Sequence, residues 1–290
     1  MQGKEWKMNI ETLFMPFQFL FMQNAFFIVL VLSVPTALLS CFLVIKGWAL
    51  MGDAISHAVL PGIVIAYIAG IPLLIGAFLA GMFCAWSTGF LSENSRIKED
   101  TIMGITFSGM FGLGIVLFVA FETSAHLDHI LFGNILGVVR LDIFVALIIA
   151  CLIIAFFTVF WRDLMLFSFD PIQAKALALP TTLLHYGLLA VLSLAIIATL
   201  KAVGLILAIG LFIIPGAIAF LVSNRLSSML LISVFVNIFS MLGGLYLSFF
   251  IDSAPAPTII LLLTVVFILV FCRKYFVDKR KTNIFISGVK

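Results

Sequence analysis

The sequence predicts an all-α, polytopic transmembrane helix bundle of eight or nine spans. Three observations predict it. Hydrophobic residues make up 64% of the 290 residues and charged residues only 10%, against roughly 45–50% and about 25% in soluble domains. The apolar residues fall in runs long enough to cross a bilayer, whose ~30 Å of hydrocarbon takes about 20 residues at a rise of 1.5 Å each. The connections between the runs are too short to hold a soluble domain.

Taken in order, residues 1–23 read as an N-terminal interfacial segment. Phe14, Phe17, Phe19 and Leu20 surround Pro16, a pattern suited to the membrane surface rather than to a span. The early charges Lys4, Glu5 and Lys7 precede no small-residue cleavage site, so no signal peptide is expected. Residues 24–272 form the transmembrane domain. Its spans are expected at 24–45, 52–70, 72–92, 101–121, 141–161, 182–200, 202–222, 229–250 and 257–272. Residues 273–290 form a basic tail.

Orientation follows the excess of Lys and Arg on cytoplasmic connections. With the C-terminus inside, only Lys4, Lys7, Arg140 and Lys201 of the 16 basic residues face outward. Nine spans then put the N-terminus outside. The same choice places residues 162–181 in the cytoplasm. There Asp170 followed by Pro171 is a helix-start signal, with Asp as cap and Pro at the first helical position. Ile172–Leu179 can form a short helix that Pro180 ends. A docking contact for a cytoplasmic partner and an ordinary connecting loop fit this segment equally well.

The second span opens GDAISHAVLPG, residues 52–62. Asp53 and His57 are four apart and share one helix face. Ionisable residues inside a span are expensive and point to function. A carboxylate with an imidazole suits Mn²⁺, Fe²⁺ or Zn²⁺. Pro61 has no N–H, so the carbonyl of His57 loses its usual helical partner. The competing reading makes Asp53 a helix cap and gives His57 one interhelical hydrogen bond. Further along, His126, Asp128 and His129 crowd one outer segment, either as ion ligands or as a plain solvated loop. Glu99 and Asp100 complement the dipole of a helix start. Asp252 reads as a cap, and His185 and the four cysteines (Cys41, Cys84, Cys151, Cys272) as packing residues. Glycines within the spans allow close helix packing, and Pro35 and Pro215 mark kinks.

Absent motifs narrow the choice. There is no G-x-x-x-x-G-K-[ST] loop to bind ATP and no H-E-x-x-H zinc-protease motif. The basic residues are scattered, which excludes a nucleic-acid site. No cysteine or methionine pair stands near the candidate ligands, which argues against copper.

Five blocks carry a resemblance: GDAISHAVLPG (52–62), IKEDTIMGITFSGMF (97–111), LDHILFGNILGV (127–138), FDPIQAKALALP (169–180) and AVGLILAIGLFIIPGAIA (202–219). In order and spacing they resemble the permease subunits of bacterial ATP-binding-cassette importers for manganese, zinc and iron. The likeness covers about residues 13–272. It implies the type II importer permease fold in the bacterial cytoplasmic (inner) membrane. It implies two ATPase subunits on the cytoplasmic side, an extracytoplasmic metal-binding receptor, and a second permease copy or a sister permease. No permanent cofactor is implied; the metal ion is cargo. Asp53 and His57 match the family's motif and are implied to lie on the ion path. Asp170, Pro171, Ile172, Gln173, Ala174, Lys175, Ala176, Leu177, Ala178 and Leu179 match its ATPase-coupling helix. Ala178 departs from the glycine usual there. LFGNILGV looks more like the manganese/iron branch than the zinc branch. The alternative is a self-sufficient, proton-coupled secondary transporter. Its expected internal repeat is not evident in this sequence.

Overall fold

The computed structural model describes residues 14–48, 50–121, 133 and 135–287. Its helices are α1 (Leu20–Lys46), α2 (Met51–Ala58), α3 (Leu60–Ala69), α4 (Leu73–Glu93), α5 (Glu99–Ala120), α6 (Arg140–Val159), α7 (Trp161–Phe169), α8 (Pro171–Ala176), α9 (Thr181–Val222), α10 (Leu226–Ile251) and α11 (Pro255–Ser287). Short 3₁₀ turns cover Met15–Gln18 and Ile135–Gly137. No strand occurs among the described residues. Taking α2 and α3 together, 8 helices are long and apolar enough to cross a membrane. The expected all-α membrane bundle is therefore the observed fold.

α9 is 42 residues long. Drawn straight it would reach about 63 Å, twice the hydrocarbon thickness. It is not straight, because Gly204 breaks it with a non-helical φ of 81° and ψ of 172°. The limbs on either side, 181–203 and 205–222, both approach the C-terminal end of α1. Thr181 and His185 share a cavity with Lys46, and the Gly216 N–H donates to Ser40 Oγ at 2.8 Å. At the opposite end Lys201 pairs with Asp142 in the first turn of α6. The chain thus reverses at Gly204. The limbs are the two spans expected at 182–200 and 202–222, with the boundary moved to the glycine. Counted by limbs, the described residues make nine passes.

The core lies around α1 and α2–α3. In each, 67% of the apolar window is buried, against 17% in α5 and in α11. Polar groups tie α1 to α10. Ser233 Oγ donates to the Ala37 carbonyl at 3.0 Å, and Asn237 Nδ2 donates to the Ser33 carbonyl at 2.8 Å and to Thr36 Oγ1 at 2.9 Å. Such bonds are worth roughly 0.6–2 kcal/mol each in a membrane. α3 and α4 meet backbone to backbone: a Cβ on Gly62 would overlap the Gly76 carbonyl, and one on Gly76 would overlap the Gly62 carbonyl. Ala66 and Ala80, one turn along each helix, continue the small-residue contact.

Two stretches received no element from the sequence. Residues 161–169 form α7, which buries Leu164, Phe167 and Ser168 at helical spacing. Residues 273–287 continue α11 as helix.

Candidate functional site

Asp53 and His57 lie on α2, an eight-residue helix. A Cβ on Gly81 would lie 3.0 Å from Ile55 Cγ2 and 3.6 Å from Ser193. Ile55 is therefore level with Gly81 and Ser193. Each of those sits twelve residues from the α8 end of its helix, or about 18 Å at 1.5 Å per residue. Asp53 and His57 flank this level, close to the middle of the bundle rather than at its edge.

The i,i+4 spacing brings His57 Nε2 to 3.3 Å from Asp53 Oδ1, with about a third of each side chain accessible. The N-cap position of α2 is Leu50, whose side chain makes no cap bond, and Asp53 lies in the first turn. α5 forms the opposing wall. Its Phe107 ring stacks on His57 with centroids 5.9 Å apart, and Phe111 meets the imidazole edge-on at 5.2 Å. One turn further, Gly114 lets Pro61 seat against α5; a Cβ there would lie 2.9 Å from the proline ring. The helix divides at Val59, where the missing Pro61 N–H leaves the His57 carbonyl without its i+4 donor.

Two cavities lie near the pair; the smaller is lined by His57, and neither is lined by Asp53. One of about 20 Å³ is lined by Ser56, His57, Val59, Leu60, Ile63, Phe111, Leu200 and Leu205. That is room for about one water or one small ion. The other, about 510 Å³, opens toward the far end between α3, α4, α6 and the first limb of α9. It is apolar except at Asp142 and Lys201, whose charged atoms are 2.5 Å apart. Val59, Ile63 and Leu200 line both cavities, so these side chains form the partition between the vestibule and His57. Among the described residues no third His, Cys, Asp or Glu joins the pair.

The Asp170–Pro171 signal makes α8. Asp170 Oδ1 accepts from the Gln173 N–H at 2.9 Å. The other end closes with Leu179 N–H bonded to the Ala174 carbonyl at 3.1 Å and Ala178 N–H to the Lys175 carbonyl at 3.0 Å. This double bond pattern requires a left-handed residue, and Ala178 supplies it at φ 54°. Ala174 faces inward and is buried, whereas Ile172 is 82% exposed.

Of the other sequence candidates, His126, Asp128 and His129 lie outside the described residues. His185 packs edge-on to Trp48 and Tyr186 at 5.1 Å. Asp252 ends α10 with a left-handed φ of 56°. The Asp142–Lys201 pair was not anticipated. Its signal was a lysine inside a long apolar run, which needs a counter-charge.

These passes around a mid-depth carboxylate and imidazole define a multi-pass α-helical membrane permease. More narrowly, the chain belongs to the ABC 3 transport family, whose model matches residues 18–274. It is 50% identical over 253 residues to the chelated iron transport system membrane protein YfeD of Yersinia pestis, covering 87% of this chain and 85% of that one. It is 41% identical over 252 residues to the manganese transport system membrane protein MntC of Halalkalibacterium halodurans, covering 87% and 86%. Among solved structures, PsaBC from Streptococcus pneumoniae in complex with Fab matches with a TM-score of 0.81 and 36% identity, over 91% of this chain and 95% of that chain. The resemblance read from GDAISHAVLPG and the four other blocks is thereby the family itself.

Proposed function

We propose that this chain is the membrane-spanning permease subunit of an ATP-driven importer of divalent metal ions, with Mn²⁺ and Fe²⁺ ahead of Zn²⁺. The observation that carries the reading is the Asp53–His57 pair at mid-depth, beside an ion-sized cavity and beneath a vestibule. Relatives named for iron and for manganese support the choice of cargo. The carboxylate and imidazole replace part of the ion's water shell. Two side-chain ligands make a weak site, which suits an ion that must leave again. The Val59–Ile63–Leu200 partition separates this site from the vestibule.

The transmembrane unit is 24–272, between the interfacial segment 1–23 and the basic residues 273–290. It sits in the bacterial cytoplasmic membrane beside a second permease copy or a sister permease. A metal-binding receptor delivers the ion from outside. Two ATPase subunits lie on the cytoplasmic side, one of them seated on α8, and Ile172, an apolar side chain left exposed on that helix, supports a partner there. ATP hydrolysis is assigned to the partners, in keeping with a sequence that carries no G-x-x-x-x-G-K-[ST] loop.

The test is reconstitution into liposomes with and without the ATPase, following manganese uptake. Uptake is expected only with ATPase and ATP. Asp53→Asn and His57→Ala should each reduce it at least about tenfold, the cost of roughly one lost ligand, with the complex intact. Ala176→Arg should release the ATPase in detergent. Uptake driven by a proton gradient alone would sink the reading.

A further inference from the structure

The vestibule holds two charges in an otherwise apolar lining. Among the described residues, Asp142 and Lys201 are the only charged ones that line its volume of about 510 Å³; the rest are aliphatic side chains and Gly137. Their signs cancel, so this lining is electrically neutral at rest. Placing an ion pair in apolar surroundings costs desolvation of both partners. The mid-depth pair of Asp53 and His57 has no part in it.

Three observations bear on its role. First, the carboxylate is held. Asp142 lies in the first turn of α6, its side chain is 18% accessible, and its Oδ2 accepts the Val139 N–H at 3.3 Å. That bond is independent of Lys201 and keeps the carboxylate in place when Oδ1 changes partner. Second, the ammonium can leave. The Lys201 side chain is 49% accessible, and Asp142 is its one ion-pair partner among the described residues. Its four-carbon stem is flexible. Third, Leu200, the residue before Lys201, belongs with Val59 and Ile63 to the partition that the vestibule shares with the His57 cavity. The pair therefore stands on the outer side of the partition, one residue from it.

A cation that enters an apolar vestibule gives up water and gains nothing in return. A fixed carboxylate offsets that cost, and at equal distance it attracts a divalent ion twice as strongly as an ammonium. The same carboxylate left alone would be an uncompensated charge between one ion and the next. We propose that Asp142 is the entry ligand for the divalent cation and that the Lys201 ammonium occupies it between ions. The role rests on the reading of the chain as a metal-importer permease. The incoming ion takes Asp142 Oδ1 in exchange for part of its water shell, and the ammonium turns toward water. Once the ion passes the partition, the ammonium returns to the carboxylate, and no vacant carboxylate oxygen faces the ion from behind. Lys201 also selects by charge: a monovalent ion gains no more from Asp142 than the tethered ammonium does.

Mn²⁺ titration of the full-length chain in detergent tests this, with the electron paramagnetic resonance signal of the free ion reporting the unbound fraction. Every variant also carries Asp53→Asn and His57→Ala, so a result at Asp142 stands apart from the mid-depth pair. Lys201→Met should tighten Mn²⁺ binding at one site per chain by at least about fivefold, the worth of a partly exposed ion pair that no longer competes. Adding Asp142→Asn should abolish the gain. Lys201→Gln should behave as Lys201→Met does. Lys201→Arg keeps the cation and should bind Mn²⁺ as weakly as the native pair. Unchanged binding in both Lys201→Met and Lys201→Gln would reduce the pair to a tie between α6 and α9 and overturn the proposal. A gain that survives Asp142→Asn would put the ion elsewhere and overturn it equally.

Discussion

Ala178 holds a backbone conformation that suits glycine. At φ 54° its Cβ crowds the neighbouring carbonyl, at a cost of roughly 1–2 kcal/mol. Ala178→Gly relieves this but adds freedom to the unfolded chain, which takes back about 0.5–1 kcal/mol. The variant is expected to be more stable by about 0.5–1 kcal/mol, read from denaturant unfolding in detergent. A clear loss of stability would show that the α8 turn is not closed by a left-handed residue. Other residues differed in how far the sequence revealed them. Asp53 and His57 were legible because charge within an apolar run is rare and their spacing is local. The Phe107 and Phe111 rings around His57 were not, because they come from another helix and pack as ordinary apolar residues do. Asp142 and Lys201 stayed unpaired on paper for the same reason: one begins α6, the other ends a limb of α9.

At the scale of elements, the glycine contact between α3 and α4 positions the span that carries Asp53 and His57. Gly76→Leu must push these backbones apart, and overpacking of this kind costs about 1–3 kcal/mol. Its thermal midpoint should fall, whereas Gly104→Leu on α5, where a Cβ would meet nothing within 4 Å, should change little. Equal effects of the two would remove the special role of the contact. Most spans were legible, since length and apolarity alone define a crossing. α7 was not. Its Trp161, Arg162 and Asp163 look like the end of a span, and nine residues are too few for periodicity to stand out. α8 was legible through its cap, the one local signal that sequence carries strongly.

For the whole molecule, the decisive residue is Gly204. With the four native cysteines replaced, Ser95→Cys and Asn224→Cys should react with an impermeant maleimide from the same side of the membrane, and Ser253→Cys from the other. An unbroken α9 would put Asn224 on the side opposite Ser95. The sequence anticipated nine passes from charge and apolarity, but not the means of reversal. A glycine inside a uniformly apolar run gives no local sign that its φ is positive, nor that a distant residue, Gly133, packs so close that a Cβ on it would overlap the Gly204 backbone. The span that carries Asp53 and His57 also divides, but differently. At Val59 one hydrogen bond is already missing, because Pro61 cannot donate it, so changing the angle there breaks little. Three residues on, Gly62 is pressed against Gly76, and any shift would separate two backbones in contact. Compliance and stiffness are thus neighbours within one span. The lower segment, about 12 Å long, carries Asp53 and His57 on the side of the absent hydrogen bond and meets α4 through the Ile55 side chain, whereas the upper segment meets it backbone to backbone.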